Sequence, residues 1–299
     1  LANLAGGTMR GVQLAGISNI SGNNTVGLSA AGLVNITGDR TQGVIISGLT
    51  SIGGDNTSGL MISGFMNVTG NMASGLHFSG AANITGQSFG GLMASGLLNV
   101  VGEHMNGLQM AGIANITASK LNGVQIALCN YATQARGLQI GLVNYYKEDM
   151  KGFQLGLVNA NPDTRVQMMV YGGNATPANI GVRFKNQLFY TILGIGSMYQ
   201  GLNDKFSASA SYRAGLSFTL YKGLSISGDL GYQHIEAFDN KDEVIPKRLY
   251  ALQARANLEY QFTRKFGIFA TGGYGLTRFY NKSSNYDKGA IIEAGIVLF

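Results

Sequence analysis

Side chains that commonly carry out chemistry are few in this chain of 299 residues, which has three histidines and one cysteine. His77 lies in an apolar stretch and His104 in a polar one, and nothing spaces them as metal ligands. The remaining pairing is His234 with Ser225 or Ser227, which would join a base to a nucleophile. Ser227 has the opposite strand parity to His234, and Ser225 lies far along the strand. The sequence therefore predicts no catalytic residue, no metal and no cofactor.

Several charged residues of the second half share one face of alternating strands. They are Arg183, Arg213, Asp229, Arg255 and Glu259, with Glu293 as a further candidate. If that face lines the interior of a small barrel, opposite charges should pair across it, because an unpaired buried charge is costly. An eight-stranded barrel has room only for side chains. We therefore predict a salt-bridge network that plugs the interior, rather than a channel.

Composition narrows the classes of function. Hydrophobic residues make up 45% of the chain and charged residues 12%, with 45 glycines and a net charge of +6. The positive excess lies in residues 161–299 and is scattered, which argues against nucleic-acid binding and favours contact with anionic lipid head groups. The single cysteine, Cys129, excludes an internal disulfide. It shares its repeat position with Val143 and Val158, so we expect it to be packed as a small hydrophobic residue.

The first half of the chain is a repeat with a period of 16 residues. Its marker is a glycine followed by leucine or valine, at Gly11, Gly27, Gly43, Gly59, Gly75, Gly91, Gly107 and Gly123. Apolar residues alternate after the marker, and a turn-forming remainder follows, as at residues 38–42. Each unit is therefore predicted to be one coil of a β-solenoid, with two short strands, corners at glycine and a polar bend.

An asparagine recurs eight residues after the marker glycine. The positions are Asn19, Asn35, Asn67, Asn83, Asn99 and Asn115, with Ser51 as the exception. Stacked coils would place these amides in a column, where they can hydrogen-bond to one another and to backbone groups at the corner. Several are formal glycosylation sequons, but their single repeat position favours an asparagine ladder.

From Arg165 the pattern changes to longer alternating strands. The eight candidates are 165–173, 179–185, 188–199, 206–221, 224–236, 248–263, 266–280 and 288–299. Their lengths suit tilted membrane crossings. All 14 tyrosines lie at or after Tyr131, many near strand ends, as in an interfacial girdle. Phe299 ends the last strand and resembles the C-terminal insertion signal of bacterial outer-membrane barrels.

The sequence thus predicts an all-β protein of two domains. Residues 1–161 should form a β-solenoid whose first unit is entered midway, and residues 162–299 an eight-stranded antiparallel transmembrane barrel. The connection at 237–247 is long, whereas 222–223 and 264–265 are tight turns of the kind that face the periplasm. Counting strands from that side predicts a periplasmic solenoid.

Units that begin G-[LV]-Q-[ILM]-[AG] resemble those of a family of outer-membrane surface-repeat proteins of Gram-negative bacteria. They start at Gly11, Gly107, Gly123 and Gly137, and at Gly152 with Phe153 in the second position. The resemblance covers most of the chain, although the middle units lack the glutamine. It implies an outer-membrane location and no established activity, so it assigns no site residues.

We expect a non-enzymatic structural and interaction protein. Its plugged barrel would anchor a solenoid that docks other outer-membrane or periplasmic proteins, as an accessory subunit of a larger assembly. The alternatives are a surface adhesin or ligand-binding rod, which protease added to intact cells would cut, and a lipid-modifying enzyme.

Overall fold

The structure is a computed structural model that describes residues 1–197, 199, 202, 206–238, 248–281 and 284–298. The chain divides into two compact units, Leu1–Gly156 and Leu157–Phe299. The predicted fold class is confirmed, because the strands form a parallel solenoid of about 10 turns and a closed barrel of eight antiparallel strands. Among the described residues, no helix is long and apolar enough to cross a membrane.

Each regular coil of the solenoid has one short and one long strand. The short strands are β1 (Ala2–Ala5), β3 (Ser18–Ser21), β5 (Val34–Thr37), β7 (Thr50–Gly53), β9 (Met66–Thr69), β11 (Ala82–Thr85) and β13 (Leu98–Val101). The long strands are β2 (Met9–Ala15), β4 (Thr25–Ala31), β6 (Arg40–Ser47), β8 (Asn56–Ser63), β10 (Ala73–Ser79), β12 (Phe89–Ser95) and β14 (His104–Ala111). Short strands pair with short and long with long, one coil away.

The pairing register of the solenoid is the sequence repeat itself. In the pair β6 and β8, Arg40 lies opposite Asn56 and Ser47 opposite Ser63. The corners pair in the same way, since the Leu33 amide donates to the Ile17 carbonyl at 2.9 Å. Backbone polar groups are thus satisfied from coil to coil.

The polar bend is shorter than the sequence predicts. Of residues 38–42, only Gly38 and Asp39 turn, and strand β6 already begins at Arg40. Parallel partners in the neighbouring coils supply hydrogen bonds from Arg40 onward, and these override the local turn propensity.

The last coils lose the separation into two strands. They contain β15 (Ala114–Ile126), β16 (Cys129–Ile140), β17 (Val143–Leu155) and β18 (Val158–Ala160). In β15 the strand runs through the bend, and its pairing register with β16 shifts between Thr117 and Lys120. This is the part of the repeat where units shorten.

The marker glycines are required by backbone geometry. Their φ angles are positive, from 105° at Gly11 to 149° at Gly152. A Cβ built on Gly91 would lie 2.2 Å from the carbonyl oxygen of Gly75 in the preceding coil. A side chain here would therefore be strained in φ and would force neighbouring coils apart.

The barrel strands follow one another around a closed ring. They are β19 (Arg165–Gly173), β20 (Ala178–Asn186), β21 (Phe189–Ser197), β22 (Ser207–Tyr221), β23 (Leu224–Ala237), β24 (Arg248–Thr263), β25 (Phe266–Phe279) and β26 (Asn285–Leu298). The ring closes because β19 pairs antiparallel with β26. Residues 198 and 299, at the ends of two predicted strands, and most of the connection at 237–247 lie outside the described residues.

Adjacent glycines provide a matched test of the coil geometry. We expect Gly91→Ala to destabilise the solenoid by about 3 kcal/mol or more, because strain in φ and a backbone clash add. Gly90→Ala should be nearly neutral, since a Cβ there meets nothing within 4 Å. Amide hydrogen exchange of the neighbouring coils measures both. Equal protection in the two variants would contradict this account of the glycine column.

Candidate functional site

The barrel lumen collects the charged residues that the sequence singled out. Side chains alternate along each strand between the lumen and the outer face, as the burial pattern of β24 shows. Arg213 and Asp229 are almost completely buried in it, with side-chain exposures of 1% and 0%. Charges so deep in a protein require partners.

Arg183 makes the first lumen ion pair. Its Nη1 donates to Glu259 Oε2 at 2.6 Å and its Nη2 to Glu259 Oε1 at 2.9 Å, a bidentate pair between β20 and β24. Gln167 completes the site by accepting from Arg183 Nε at 3.0 Å. The pair crosses the lumen, because β20 and β24 are not neighbours in the ring.

Arg213 is the centre of a second, larger network. Its Nε and Nη2 donate to the two carboxylate oxygens of Asp229, each at 2.9 Å. Its Nη1 lies 3.5 Å from Glu293 Oε2, and the other oxygen of Glu293 lies 3.3 Å from Arg255 Nη2. All five predicted lumen charges and Glu293 are therefore brought into ion pairs. Arg255 is the least satisfied, since its Nε and Nη1 have no partner among the described residues.

Neutral side chains that the sequence analysis missed complete the second network. Tyr190 donates its hydroxyl to Asp229 Oδ2 at 2.8 Å, and Asn257 Nδ2 donates to the same oxygen at 2.8 Å. Thr271 donates to Asn257 Oδ1 at 2.6 Å. Asn257 lies on the same face of its strand as Arg255 and Glu259. The alternation of side chains along a strand therefore predicts that it points into the lumen, although it does not predict its hydrogen-bond partners.

The outer face of the barrel is apolar. Outward-facing residues include Val166, Ile180, Ile195, Leu216, Leu230, Leu252, Leu258, Ile268 and Ile292, all substantially exposed. Outward-facing charges within the described strands lie near one rim, where the longer connections begin. They are Glu236, Arg248, Arg278 and Lys288. Aromatic residues lie near both rims: Tyr232, Tyr250 and Tyr280 beside these charges, and Tyr221, Tyr260, Phe262 and Phe266 toward the opposite rim.

His234 is not joined to either candidate serine. It points outward at the charged rim, where its Nδ1 lies 2.7 Å from the Tyr280 hydroxyl and its Nε2 3.4 Å from Glu236 Oε2. Ser227 faces the lumen and accepts from Asn257 Nδ2 at 3.2 Å. An apolar groove of about 1030 Å³ lies beside His234 on the outer face. Among the described residues, no group of three metal-ligating side chains is assembled.

The solenoid interior contains the asparagine column. Asn19 Nδ2 donates to Asn35 Oδ1 at 3.0 Å, and the same contact recurs from Asn67 to Asn83 at 2.8 Å. It continues through Asn83, Asn99 and Asn115 at 2.9 and 3.0 Å, and on to Asn130 at 3.1 Å. Each amide also donates to a backbone carbonyl next to the corner, as Asn19 does to Ala30 at 2.8 Å.

Two further interior features were not foreseen. At Ser51, where the asparagine is missing, hydroxyls fill the gap: Ser47 and Ser63 Oγ lie 2.6 and 2.9 Å from Ser51 Oγ. Glutamines form a second ladder, which runs from Gln125 to Gln109 and from Gln139 to Gln125 at 2.8 Å. The glutamine at the third position of these units was the sequence signal for it.

The solenoid interior combines columns of amides and hydroxyls with an apolar cluster around Phe89 and Leu121, and further apolar residues lie on the outside. The outward positions that begin at Val12, Leu14, Ile17, Ser18 and Ile20 recur in every coil, and we call them the apolar faces. Nearly all are aliphatic or aromatic, none is charged and none is buried. All 11 charged residues before residue 161 lie instead in the bend, within five residues before a marker glycine.

Cys129 lies on these apolar faces, so its predicted packing in the interior is wrong. It is exposed. Its neighbour in the column, Ala114, is also not buried. The prediction failed because apolar residues were assumed to point inward. Phe299, the predicted insertion signal, lies outside the described residues.

No protein-family model and no curated protein matches this chain. Membership of the surface-repeat family therefore stays a prediction. Among solved structures, the chain is similar to the N-terminal β-barrel domain of Pseudomonas aeruginosa OprF. That alignment has 17% identity and a TM-score of 0.33, and it covers 44% of this chain and 93% of the other.

The Arg213 network yields a stability prediction. Arg213→Met should destabilise the barrel by about 3–5 kcal/mol, because Asp229 loses its ionic partner in a buried site. The exposed pair of Arg248 and Glu236 is the matched control, and Arg248→Met should cost at most about 1 kcal/mol. The temperature at which the compact barrel band unfolds in SDS electrophoresis measures both. Equal shifts would contradict the role of the lumen network.

His77 yields a pH prediction for the solenoid. It is buried against Phe89, with ring centroids 4.9 Å apart, and its Nε2 has no partner among the described residues. Desolvation lowers the pKa of His77 from 6.5 to about 4. Because the unfolded chain binds the proton more readily, stability is complete above pH 6.5 and falls as the pH drops toward 4, by about 3 kcal/mol in all.

The variant His77→Met should remove that dependence. Methionine already occupies this column on both sides, at Met61 and Met93. Hydrogen exchange of the surrounding coils at pH 7 and pH 4.5 measures the effect, with exposed His104→Gln as control. A wild-type pH dependence that survives in His77→Met would show that another group causes it.

Proposed function

We propose that this protein is a non-enzymatic structural protein of the bacterial outer membrane, in which a plugged barrel anchors the solenoid as an interaction module. The observation that carries the proposal is the cross-section of the barrel. Paired charges such as Arg183 and Glu259 fill its interior, while an uncharged apolar band surrounds it.

A lipid environment explains why the barrel has charged residues inside and apolar residues outside. In a bilayer every backbone polar group must be satisfied within the protein, and a closed barrel does so without an edge. Aliphatic residues on the outside can contact lipid tails without an energetic cost, whereas polar groups are favoured inside. Aromatic residues such as Tyr221 and Tyr260 then lie at one interface, where amphipathic rings are stable.

The interior argues for an anchor rather than a pore. Three arginines are paired with three carboxylates inside the lumen, and Tyr190 and Asn257 hydrogen-bond to each other among them. An eight-stranded barrel leaves no further width for water once such side chains are in place. The cavity at the lumen mouth beside Asn174 and Thr277 measures about 280 Å³.

The short turns indicate an orientation. The turns at 187–188, 222–223 and 264–265 lie at the rim where β19 begins and β26 ends. Short turns of outer-membrane barrels face the periplasm. On that basis we propose that the solenoid lies on the periplasmic side of the membrane, where its charged bend can contact other proteins as an accessory subunit. This favours the accessory role over a surface adhesin.

A lipid-modifying enzyme is less well supported. His234 lies beside an apolar groove, as such an enzyme would need, but its imidazole contacts Tyr280 and Glu236 rather than a serine. Ser227, the nearer candidate, is bonded within the lumen network. The described site thus has a base without a nucleophile.

Conductance tests the proposed anchor. The purified full chain inserted into a planar bilayer should give no large stable conductance, because the ion-paired side chains occupy the lumen. A general porin in the same bilayer is the positive control, and heat-modifiable migration of the sample confirms that the barrel is folded. Long-lived openings by a folded sample would identify a channel and overturn the proposal.

A further inference from the structure

The apolar faces of the solenoid have the wrong polarity for water. Hydrophobic burial drives apolar side chains inward in an aqueous protein. Here the interior holds amides such as Asn99 and Gln125 together with apolar side chains such as Phe89, while Leu97 and Ile113 on the outside stay about half exposed, at 48% and 51%. Two faces about 13 Å wide along about ten coils cover on the order of 1,200 Å². The largest apolar patch of a typical monomer is roughly 300–600 Å².

We infer that these faces lie in the acyl-chain region of one membrane leaflet, so that the solenoid is itself an interfacial membrane domain. The inference rests on the proposed function, because it takes the barrel as membrane-spanning. The charged bend, with residues such as Asp55 and Lys120, would then lie among the head groups and in water. This is the arrangement of an interfacial amphipathic element, built here from β-structure.

Hydrogen bonding permits this location. Hydrocarbon supplies no partner for an exposed N–H or C=O group, so lipid-facing backbone must be satisfied by the protein. Parallel pairing does so along both sheets, and at the corners the Gly64 and Phe65 amides donate to Ser47 and Leu49 carbonyls at 3.1 and 2.9 Å. The asparagine ladder takes up carbonyls from inside, as Asn99 does with Met110 at 2.7 Å.

The dimensions also match. A four-residue strand such as β9 is about 13 Å long. Half of the hydrocarbon core of a bilayer is about 15 Å thick. Most units have a second glycine five residues after the marker, such as Gly96. The faces flank the corner at this glycine, at Leu97 and its equivalents, which is the part of each coil farthest along the chain from the charged bend. Immersion to the depth of one leaflet therefore covers the faces and leaves the charges in the interface.

Lipid fits the faces better than a protein partner does. Protein interfaces combine apolar anchors with hydrogen bonds and are enriched in arginine, tryptophan and tyrosine. The faces contain no arginine or tryptophan, and their two tyrosines, Tyr131 and Tyr145, are stacked on each other in the shortened coils. Their few other polar groups include Ser18, Thr50 and Cys129.

Three single-cysteine variants of the full chain test the inference, each in a Cys129→Ala background. Leu97→Cys reports on the apolar faces, Ser74→Cys on the exposed polar position just before a marker glycine, and Ala256→Cys on the outer face of the barrel. Each carries an environment-sensitive fluorophore in vesicles of phosphatidylethanolamine and phosphatidylglycerol. Quenching is measured with doxyl groups on the acyl chains and with iodide in the buffer.

We expect the Leu97 probe to lose as much fluorescence to acyl-chain doxyl as the Ala256 probe does, and the Ser74 probe to be quenched by iodide instead. A Leu97 probe quenched by iodide would place the faces in water. A Leu97 probe protected from both quenchers would show that a second copy covers them. Either result overturns the inference while the Ala256 probe still reports a membrane-spanning barrel. Loss of doxyl quenching at Ala256 would instead overturn the proposed function.

A protein partner present only in cells is tested separately. A photo-crosslinking residue is placed at position 97 or 74 of the full chain in intact cells. Lipid contact predicts no discrete protein adduct at position 97. A defined adduct at position 97 that is absent at position 74 would show that a protein covers the faces, and would overturn the inference.

Discussion

Internal satisfaction of polar groups is the constraint on which this structure depends. In the solenoid, each backbone strand pairs with the coil before and after it, and amide ladders through Asn19 and Gln125 satisfy the interior. In the barrel, ring closure pairs every described strand, and Arg213 and Arg183 neutralise the buried carboxylates. Once hydrogen bonds and charges are satisfied inside, the outside is free to be apolar.

Glycine makes the hydrogen bonds between neighbouring coils possible in the solenoid. Coils approach so closely at the marker position that the Gly107 backbone lies against Gly91, and positive φ bends the long strand there. This change of direction at the marker glycine separates the charged side of each coil from its apolar faces. Where the units shorten, as at Gly137, the marker glycine persists although the second glycine changes, which identifies the marker as the more constrained of the two.

Both units satisfy their interior polar groups within the protein, but they do so by different means. Covalent repetition places like residues in register along parts of the solenoid, as in the column from Asn67 to Asn115, so neutral ladders of asparagine and glutamine form there. The barrel lumen has no repeat, and it brings unlike residues from distant strands together, such as Arg183 and Glu259. Ion pairs are suited to that task, because opposite charges select one another across a narrow space.

The sequence alone determined the 16-residue coil, the asparagine column, the eight barrel strands and the set of lumen charges. The repeat itself sets the period of 16, and the alternation of side chains along a strand sets the period of 2. Tertiary structure decided which side of each coil faces inward, so Cys129 proved exposed and a glutamine ladder internal. It also decided which charges pair, Arg213 with Asp229 and Arg183 with Glu259. The long strands begin inside the segment that the sequence predicts to be a bend. Alternation separates two faces, but only closure of the coil or ring decides which one is enclosed.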